Sequence, residues 1–430
     1  MSWTVHKFGG TSVADAACVR RVAGIVAGQP DNQGIVVSAM KGVTDDLLAL
    51  VEKAARREPV DALLEKLRKR HETSAVELLG KAGAKPVLEQ FERELGDIES
   101  ILKALTLVRS ASQRSRDLVS GFGEVWSARQ IAAFFKQEFA GAREGSREVV
   151  FVDAREVLVI DKGEMGPVVV WDESRPKLAQ IVPPGFKGIA VITGFVGADR
   201  DGLPTTLGRN GSDYSGSIFG ALLDAAEVHI WTDVDGVMSG DPRRVPEAKI
   251  IGEMSYSEAM ELAYFGAKVI HPQTMAPAVA HGIPLRIRNT FNPEHPGTLI
   301  TTGSRGKDLV VKGISGVDSV ALINLEGAGM IGVPGTADRL FGALREANVS
   351  VMLISQGSSE HSICFAVREE SADEVRAVVE RAFAVELEEG QVQRVEVTKG
   401  CGILAVVGDD MAGMPGSAGR FFGTLGSAAI

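Results

Sequence analysis

The stretch TLGRNGSDYSGSI, residues 206–218, joins a glycine-rich turn to the start of an apolar helix, and the rest of the chain is organised around it. Gly208 and Gly211 let backbone approach a ligand closely, and Arg209 can bind a carboxylate through two hydrogen bonds. The first turn of a helix adds unpaired N–H groups at the positive end of the helix dipole. The pattern predicts an anion site organised by the charge of Asp213. The alternative is a helix that an Asp or Ser simply caps after an ordinary glycine turn.

The composition predicts a folded protein with two or three domains, because 430 residues exceed the usual size of a single core. A net charge of −10 argues against nucleic acid or an anionic membrane as the main partner. Cys18, Cys364 and Cys401 form no CxxC pair, which argues against disulfides and zinc and fits a reducing cytosol. The sequence shows no secretory pattern and no run of eighteen apolar residues, so we expect a cytoplasmic protein without a membrane span.

Apolar strands alternate with helices over the first 300 residues, which predicts a buried, mostly parallel sheet. We expect strands near residues 3–8, 34–40, 149–154, 188–195, 227–234 and 284–290. A helix over residues 14–27 follows the first strand, and Thr11 and Ser12 are its expected caps. Residues 46–116 form a charged helical excursion from the sheet. A domain boundary near residue 300 and a linker over 301–312 complete this part.

The end of the chain contains an internal repeat. Residues 335–349, GTADRLFGALREANV, align with residues 416–430, GSAGRFFGTLGSAAI, and an apolar strand precedes each copy. The first copy continues into two strands and a helix, which gives a βαββα unit at residues 313–395. The second copy, residues 396–430, stops before its next strand. Units this short are expected to pair with each other or with another chain.

Further polar turns follow predicted strands. KFGGTS, residues 7–12, places a cation and backbone donors where nucleotide phosphates could bind, although the Walker A spacing is absent. SAMKGVTD (38–45) and GFGEVWS (121–127) are similar, and the acids and arginines of residues 232–244 suit ribose and phosphate oxygens. Each of these stretches alone could also be a plain turn, and Lys268 could merely complement the dipole of a helix.

Taken together, the motifs resemble the ordered set of the aspartate kinase family. They are KFGGTSVAD, SAMKGVTD, GFGEVWSA, GFVGADRDGLPTTLGRNGSDYS, WTDVDGVMSGDPR, MSYSEAMELAYFGAKVIHP and NTFNPEHPGTLI. The repeat after residue 310 resembles the paired ACT regulatory domains of that family. Its segment ISQGSSEHSI is most similar to the bifunctional aspartokinase–homoserine dehydrogenases. The resemblance implies a three-layer αβα amino-acid-kinase-like catalytic domain, residues 1–300, followed by ferredoxin-like (βαββαβ) ACT units, the second incomplete.

The resemblance also assigns roles to individual residues. The catalytic residues would be Lys7, Asp213 and Arg209. The aspartate site would comprise Thr44, Glu124 facing the α-ammonium, and Arg209, Asn210, Gly211 and Ser212 at the carboxylates. The ATP site would comprise Lys7, Phe8, Gly9, Gly10, Thr232, Asp233, Met238, Arg243, Lys268 and Val269. Met238 stands where the family commonly has an aromatic residue. The allosteric site would comprise Asn348, Gln356 and Ser358.

The expected function is phosphorylation of L-aspartate at its 4-carboxylate by ATP, with Mg²⁺ held mainly through the nucleotide phosphates and no protein metal site. A carboxylate acceptor is already ionised at pH 7, so the reaction needs no general base. The expected effector is threonine or lysine, and the expected assembly is a homodimer or a higher homo-oligomer. Two alternatives remain open. One is another amino-acid kinase of this fold, acting on acetylglutamate or glutamate, and the other is an ACT amino-acid sensor without catalysis.

Overall fold

A computed structural model describes residues 2–29, 32–140, 147–164, 166–208, 210–265, 271–303, 311–357 and 360–430. The chain forms two compact units. The larger unit comprises residues 1–312 and 408–430, and the smaller unit comprises residues 313–407.

The strands, in chain order, are β1 Trp3–Phe8, β2 Gln33–Val37, β3 Glu148–Val152, β4 Ile160–Gly163, β5 Gly166–Val169, β6 Gly188–Thr193, β7 Val196–Ala198, β8 Pro204–Thr206, β9 Ala225–Thr232, β10 Glu253–Ser255, β11 Leu285–Asn289, β12 Thr298–Thr301, β13 Gly313–Glu326, β14 Leu353–Gln356, β15 Ser362–Arg368 and β16 Arg394–Val407.

The helices are α1 Ala16–Ala27, α2 Val43–Ala55, α3 Asp61–Val108, α4 Gln113–Ser120, α5 Phe122–Ala140, α6 Ala154–Val157, α7 Trp171–Ile181, α8 Gly211–Leu222, α9 Tyr256–Tyr264, α10 Pro272–Ala280, α11 Thr336–Glu346, α12 Ala372–Ala382, α13 Ala384–Glu388 and α14 Ser417–Ser427. Within these described ranges, no helix combines the length and the apolar character needed to cross a membrane.

Eight strands of the larger unit form one sheet in the order β10-β12-β11-β9-β1-β2-β6-β3. Neighbouring strands are parallel except β11 and β12. Every residue of β2 and β6 is buried, because helices cover both faces of the sheet, and this burial explains their unbroken apolar sequences. Helix α8 packs on one face, where a Cβ at Gly220 would lie 2.5 Å from Val228. Residues of α1 and α5 form a core with Phe8 and Trp231 on the other. The predicted three-layer α/β fold is confirmed.

The carboxyl ends of the parallel strands lie at one edge of the sheet, and hydrogen bonds join the turns that follow them. The N–H of Gly9 donates to the carbonyl of Trp231 (3.3 Å), and that of Ser38 donates to the carbonyl of Phe8 (3.1 Å). The turn after β6 joins the same edge through the N–H of Gly194, which donates to the carbonyl of Val37 (2.9 Å). The sequence motifs after β1, β2, β6 and β9 therefore meet at this edge, the usual ligand site of such sheets.

The expected capping of α1 by Thr11 or Ser12 is wrong. The helix begins at Ala16, and its cap is Asp15, whose Oδ1 accepts the N–H of Cys18 at 2.9 Å. Thr11 and Ser12 lie in the preceding turn, four and three residues before this cap, too early to reach the unpaired N–H groups.

The helical excursion consists of α2, α3 and α4. Helix α3 is interrupted at Gly80, whose φ of 69° is not helical. Apolar side chains of α2 and α3 pack against α5 around Trp126. The buried carboxylate of Glu94 accepts hydrogen bonds from both terminal nitrogens of Arg129, at 2.8 and 2.9 Å, and from the indole N–H of Trp126, at 2.8 Å. The excursion therefore anchors α5, the helix that carries Glu124.

The smaller unit is an antiparallel sheet in the order β14-β15-β13-β16, with α11 and α12 over one face. Strands β13 and β16 pair from Gly313 with Val407 to Glu326 with Arg394, with shifts of register around residues 317–322. The boundary predicted at residue 396 falls within β16.

The two copies of the repeat begin their helices in the same way. Helix α11 follows Gly335, with a φ of 89°, and α14 follows Gly416, with a φ of 87°. Both caps need a left-handed backbone, which explains why each copy has glycine there. Each helix spans 11 residues.

Candidate active site

An ion pair between Lys7 and Asp213 lies at the carboxyl edge of the sheet. The Nζ of Lys7, near the end of β1, contacts Oδ1 of Asp213 in the first turn of α8, and the two side chains are only 9% and 18% exposed. Helix α8 comes this close because residue 216 is glycine, where a Cβ would lie 3.0 Å from Cβ of Lys7. Partial burial strengthens the pair and holds the ammonium group in one orientation.

The turn after β1 passes directly beside this ammonium group. A Cβ at Gly9 would lie 3.5 Å from Nζ of Lys7, and a Cβ at Gly10 would lie 3.0 Å from the carbonyl of Ala39. The N–H of Lys41 donates to the carbonyl of Gly10 at 3.1 Å, so the turns after β1 and β2 are joined. A side chain would therefore be crowded at Gly10 but not at Gly9. A phosphate bound at this turn would lie beside the ammonium group of Lys7.

Phe8 was expected to contact ATP, but its side chain is fully buried on the opposite face of the sheet. Its ring stacks on Trp231 with centroids 5.6 Å apart, and its carbonyl accepts the N–H of Ser38. The ring of Phe8 therefore packs in the core on the other face of the sheet and cannot contact a nucleotide at the turn.

Helix α8 begins without a side-chain cap. Its N-cap is Asn210, an exposed residue with a φ of 58°, whose side chain makes no capping hydrogen bond. A Cβ at Gly211 would lie 2.7 Å from the ring of Phe195, so this position accepts glycine alone. Ser212 is half-buried beside it. The capped-helix alternative is therefore wrong. The N–H groups of Gly211 and Asp213 donate instead to the backbone carbonyls of Gly208 and Asn210, both at 3.0 Å.

Thr44 lies in the first turn of α2, which also lacks a side-chain cap. That helix follows Gly42, whose φ is 81°. Thr44 is half-buried, and its helix follows directly after the turn in which the N–H of Lys41 donates to the carbonyl of Gly10. The structure therefore brings Thr44 to the same edge as Lys7 and Asp213.

Glu124 is a buried carboxyl group in the first turn of α5. It is 3% exposed, and its Oε2 has no hydrogen-bond partner among the described residues. Desolvation raises its pKa to about 8, against smaller opposing effects from the backbone of Ala39 and the charge of Lys7. Gly123 allows this approach, because a Cβ there would lie 2.9 Å from Cβ of Ala39. A cation that bound here would supply the positive counter-charge that the ionised carboxylate of Glu124 needs.

Thr232 ends β9, and Asp233 follows it in the segment expected to hold the nucleotide. Oγ1 of Thr232 and Oδ1 of Asp233 lie 3.2 Å apart. Met238 is half-buried and forms an isolated bridge with Ile250. Arg243 is 82% exposed and pairs with Asp241 at 3.0 and 2.8 Å, which lowers the pKa of that carboxyl to about 2. Arg243 would have to leave this surface pair to reach a phosphate.

Four expected site residues, Arg209, Lys268, Val269 and Ser358, lie outside the described residues.

Two family models match different parts of the chain. The amino acid kinase family matches residues 2–289, and the ACT domain matches residues 323–383. The lysine-sensitive aspartokinase 3 of Escherichia coli K12 is 32% identical over 427 residues, which cover 98% of this chain and 90% of that protein. The chain belongs to the aspartokinase family.

Two further relatives define the extent of the aspartokinase similarity. The chloroplastic bifunctional aspartokinase/homoserine dehydrogenase 2 of Arabidopsis thaliana is 39% identical over 440 residues, covering 100% of this chain and 47% of that protein. The chain thus spans about half the length of the bifunctional relatives that it matches. The structure of E. coli aspartokinase III in complex with aspartate and ADP (R-state) matches with a TM-score of 0.80 and 29% identity, over 98% of this chain and 91% of that one.

Two separate cavities lie among the described residues of the ACT region. A cavity of about 330 Å³ is lined by Gln356, Glu360, Met330 and residues 332–337 at the start of α11. A second cavity, of about 300 Å³, is lined by Asn348 with residues 341, 344–345 and 349–351 at the other end of that helix. Gln356 and Asn348, both expected to bind the effector, therefore do not line the same cavity.

Phe195 was not anticipated from the aspartokinase motifs. Its φ of 67° is unusual for an aromatic residue, and its N–H donates to Oγ of Ser215 at 2.9 Å. Its carbonyl accepts the N–H of Leu207 at 2.8 Å. The strained residue thus joins the end of β6 to α8, and no sequence signal marks it because glycine is the usual residue at such a φ.

Proposed function

We propose that this chain phosphorylates L-aspartate to 4-phospho-L-aspartate with ATP, the first step of lysine, threonine and methionine biosynthesis. The observation that carries the proposal is the Lys7–Asp213 pair, which lies between the glycine turn after β1 and the uncapped start of α8. This arrangement places one fixed cation between a site suited to phosphates and a site suited to carboxylates.

The proposed substrate pose uses both sides of this pair. Glu124 receives the α-ammonium of aspartate, with Thr44 nearby, and the start of α8 receives the carboxylates through Arg209, Asn210, Gly211 and Ser212. ATP lies over Gly9 and Gly10 with its phosphates at Lys7. The rest of the nucleotide extends along Thr232, Asp233, Met238, Arg243, Lys268 and Val269. The E. coli aspartokinase III structure with aspartate and ADP supports the pairing of these two ligands.

The chemistry needs positioning and charge neutralisation more than acid–base catalysis. The 4-carboxylate of aspartate is ionised at neutral pH and attacks the γ-phosphorus of ATP directly, with ADP as the leaving group. Lys7 and the backbone N–H groups of the turn stabilise the charge on the transferred phosphoryl group. The carboxylate of Asp213 at this turn suits a cation that the nucleotide phosphates also hold, and Mg²⁺ would supply further charge neutralisation when bound.

An assay of ADP release with aspartate, glutamate and acetylglutamate tests the proposal. Hydroxylamine should trap the aspartyl phosphate as a hydroxamate, with aspartate as the preferred acceptor. Turnover with glutamate or acetylglutamate instead would favour another amino-acid kinase. Binding of amino acids without any turnover would favour a sensor.

We propose that the ACT region senses an amino-acid effector, threonine or lysine, in a homodimer or larger homo-oligomer. The effector carboxylate binds at the start of α11, and Gln356 and Ser358 contact its other groups. Because Asn348 lines the other cavity, its contact with the same effector needs a second copy of the chain. Within the proposed organisation, residues 1–300 are catalytic, residues 301–312 a linker, residues 313–395 the first ACT unit and residues 396–430 part of the second. Effector titration of enzyme activity, combined with light scattering, tests whether response and assembly coincide.

A further inference from the structure

The motif NTFNPEHPGTLI, residues 289–300, has no role in the site described so far. It begins at the carboxyl end of β11 and ends in β12. In the sheet, β9 lies between β11 and β1, so backbone pairing does not join β11 to the strand that carries Lys7. Any contact between this motif and the glycine turn must pass across the carboxyl end of β9.

Thr290 makes such a contact. Its Oγ1 lies 2.7 Å from Oγ of Ser12, and both residues are fully buried. The N–H of Ser12 donates to the carbonyl of Gly9 at 2.9 Å, so Ser12 closes the glycine turn. The N–H of Thr290 donates to the carbonyl of Thr232 at 2.9 Å. A single residue thus joins the proposed phosphate turn to the start of the proposed nucleoside segment.

The same motif fixes the continuation of that segment. Asn289 and Asn292 both donate their side-chain amides to Oδ1 of Asp235, at 2.7 and 3.1 Å. Oγ1 of Thr298 accepts the N–H of Val237 at 2.8 Å. Residues 232–237 are therefore held at their beginning, middle and end by one motif.

We propose that residues 289–298 position the nucleotide site, with Thr290 as the residue that couples its phosphate and nucleoside halves. This inference rests on the proposed function for the identity of the ligand. A buried hydroxyl group needs a hydrogen-bond partner, so loss of either hydroxyl leaves the other without one and loosens the turn. Thr290 touches neither substrate in the proposed pose and is a positioning residue.

The test is the exchange Thr290→Val, which keeps the shape of the side chain and removes its hydroxyl group. Calorimetric binding of ADP should weaken about tenfold, the effect of leaving one buried hydroxyl unpaired. The KM for ATP should rise with it, whereas the KM for aspartate should stay within about twofold. Thr290→Ser restores the hydroxyl and should restore ADP affinity.

Two further variants make the result specific. Thr274→Val makes the same exchange at another buried threonine, whose hydroxyl bonds to the carbonyl of His271, and it should leave ADP affinity unchanged. Ser12→Ala removes the other hydroxyl group of the Ser12–Thr290 pair. The double variant with Thr290→Val should lose no more ADP affinity than either single variant.

Several results would overturn the inference. They are normal ADP affinity in Thr290→Val, equal losses in Thr290→Val and Thr290→Ser, and additive losses in the double variant. If the parent chain binds ADP but phosphorylates none of the three acceptors, the proposed function fails, while hydroxyl-dependent ADP binding would still support the positioning role.

Discussion

Glu124 should make aspartate binding depend on pH, because its carboxyl group is largely protonated in the ligand-free protein. Burial raises its pKa to about 8 from an ordinary value of 4.5, and its Oε2 has no hydrogen-bond partner among the described residues. The α-ammonium of aspartate pairs favourably with the ionised carboxylate. Aspartate binding near neutral pH should therefore release a proton.

The magnitude follows from the pKa. With a value of about 8, roughly one-tenth of Glu124 is ionised at pH 7 and roughly one-hundredth at pH 6. Apparent affinity falls by the fraction of protein that is competent to bind. The Kd for aspartate should therefore be about tenfold higher at pH 7 than at its limit near pH 9, and about tenfold higher again at pH 6.

Calorimetry between pH 6 and 9, in two buffers that differ in ionisation enthalpy, measures both the affinity and the released proton. Glu124→Gln should bind aspartate more weakly and lose this pH dependence and the proton release. Glu258→Gln, which changes another carboxyl group that is 3% exposed, should retain both. An aspartate affinity that does not change between pH 6 and 8, or a dependence that survives in Glu124→Gln, would refute the reasoning.

Three other predictions concern different parts of the chain. Lys7→Met should lower kcat by about 10²–10³ with little change in aspartate affinity, because it removes a donor to the transferred phosphoryl group; near-normal turnover would exclude Lys7 from the mechanism. Burial lowers the pKa of His71 to about 3, so the unfolded chain gains a proton below pH 6.5 that the folded chain does not, and stability is lost as pH falls. His71→Phe should therefore reduce the stability lost between pH 7 and 5 by about 2 kcal/mol in urea titrations, and an unchanged loss would contradict this account. Gln356→Ala should weaken inhibition by the effector without changing uninhibited kcat, and an unchanged inhibition curve would place the effector elsewhere.

The class of fold was predictable because a sheet that is buried on both faces has strands with continuous apolar sequences. Strands such as β2 and β6 are continuous apolar runs, and only a sheet covered by helices on both sides accommodates them. Once the strands are parallel, their carboxyl ends share one edge, so motifs separated by up to two hundred residues converge there. The turn beside Lys7 could be placed for this reason, whereas Glu124 and Asp213 lie in the first turns of α5 and α8 and were assigned to the same site through the family resemblance.

The errors arose where a local pattern had a non-local partner. Ser12 has a residue type that caps helices, but its hydroxyl bonds to Thr290, 278 positions away, and Asp15 caps α1 instead. The orientation of Phe8 could have been predicted from the sequence, because successive residues of a strand face opposite sides and Lys7 was expected on the ligand side. The positive φ of Phe195 could not have been predicted from the sequence, since tertiary contacts impose it against the intrinsic backbone preference of phenylalanine.

The pairing of Gly313 with Val407 means that the chain enters and leaves the smaller unit at neighbouring points. In genetic terms, the unit is an insertion whose two junctions are adjacent. Insertions of this kind are tolerated because the host chain continues from nearly the position at which it was interrupted. Under the proposed function, a sensing module with this topology can be acquired, exchanged or lost as one piece, so the controlling amino acid can change over evolution while residues 1–300 keep their chemistry.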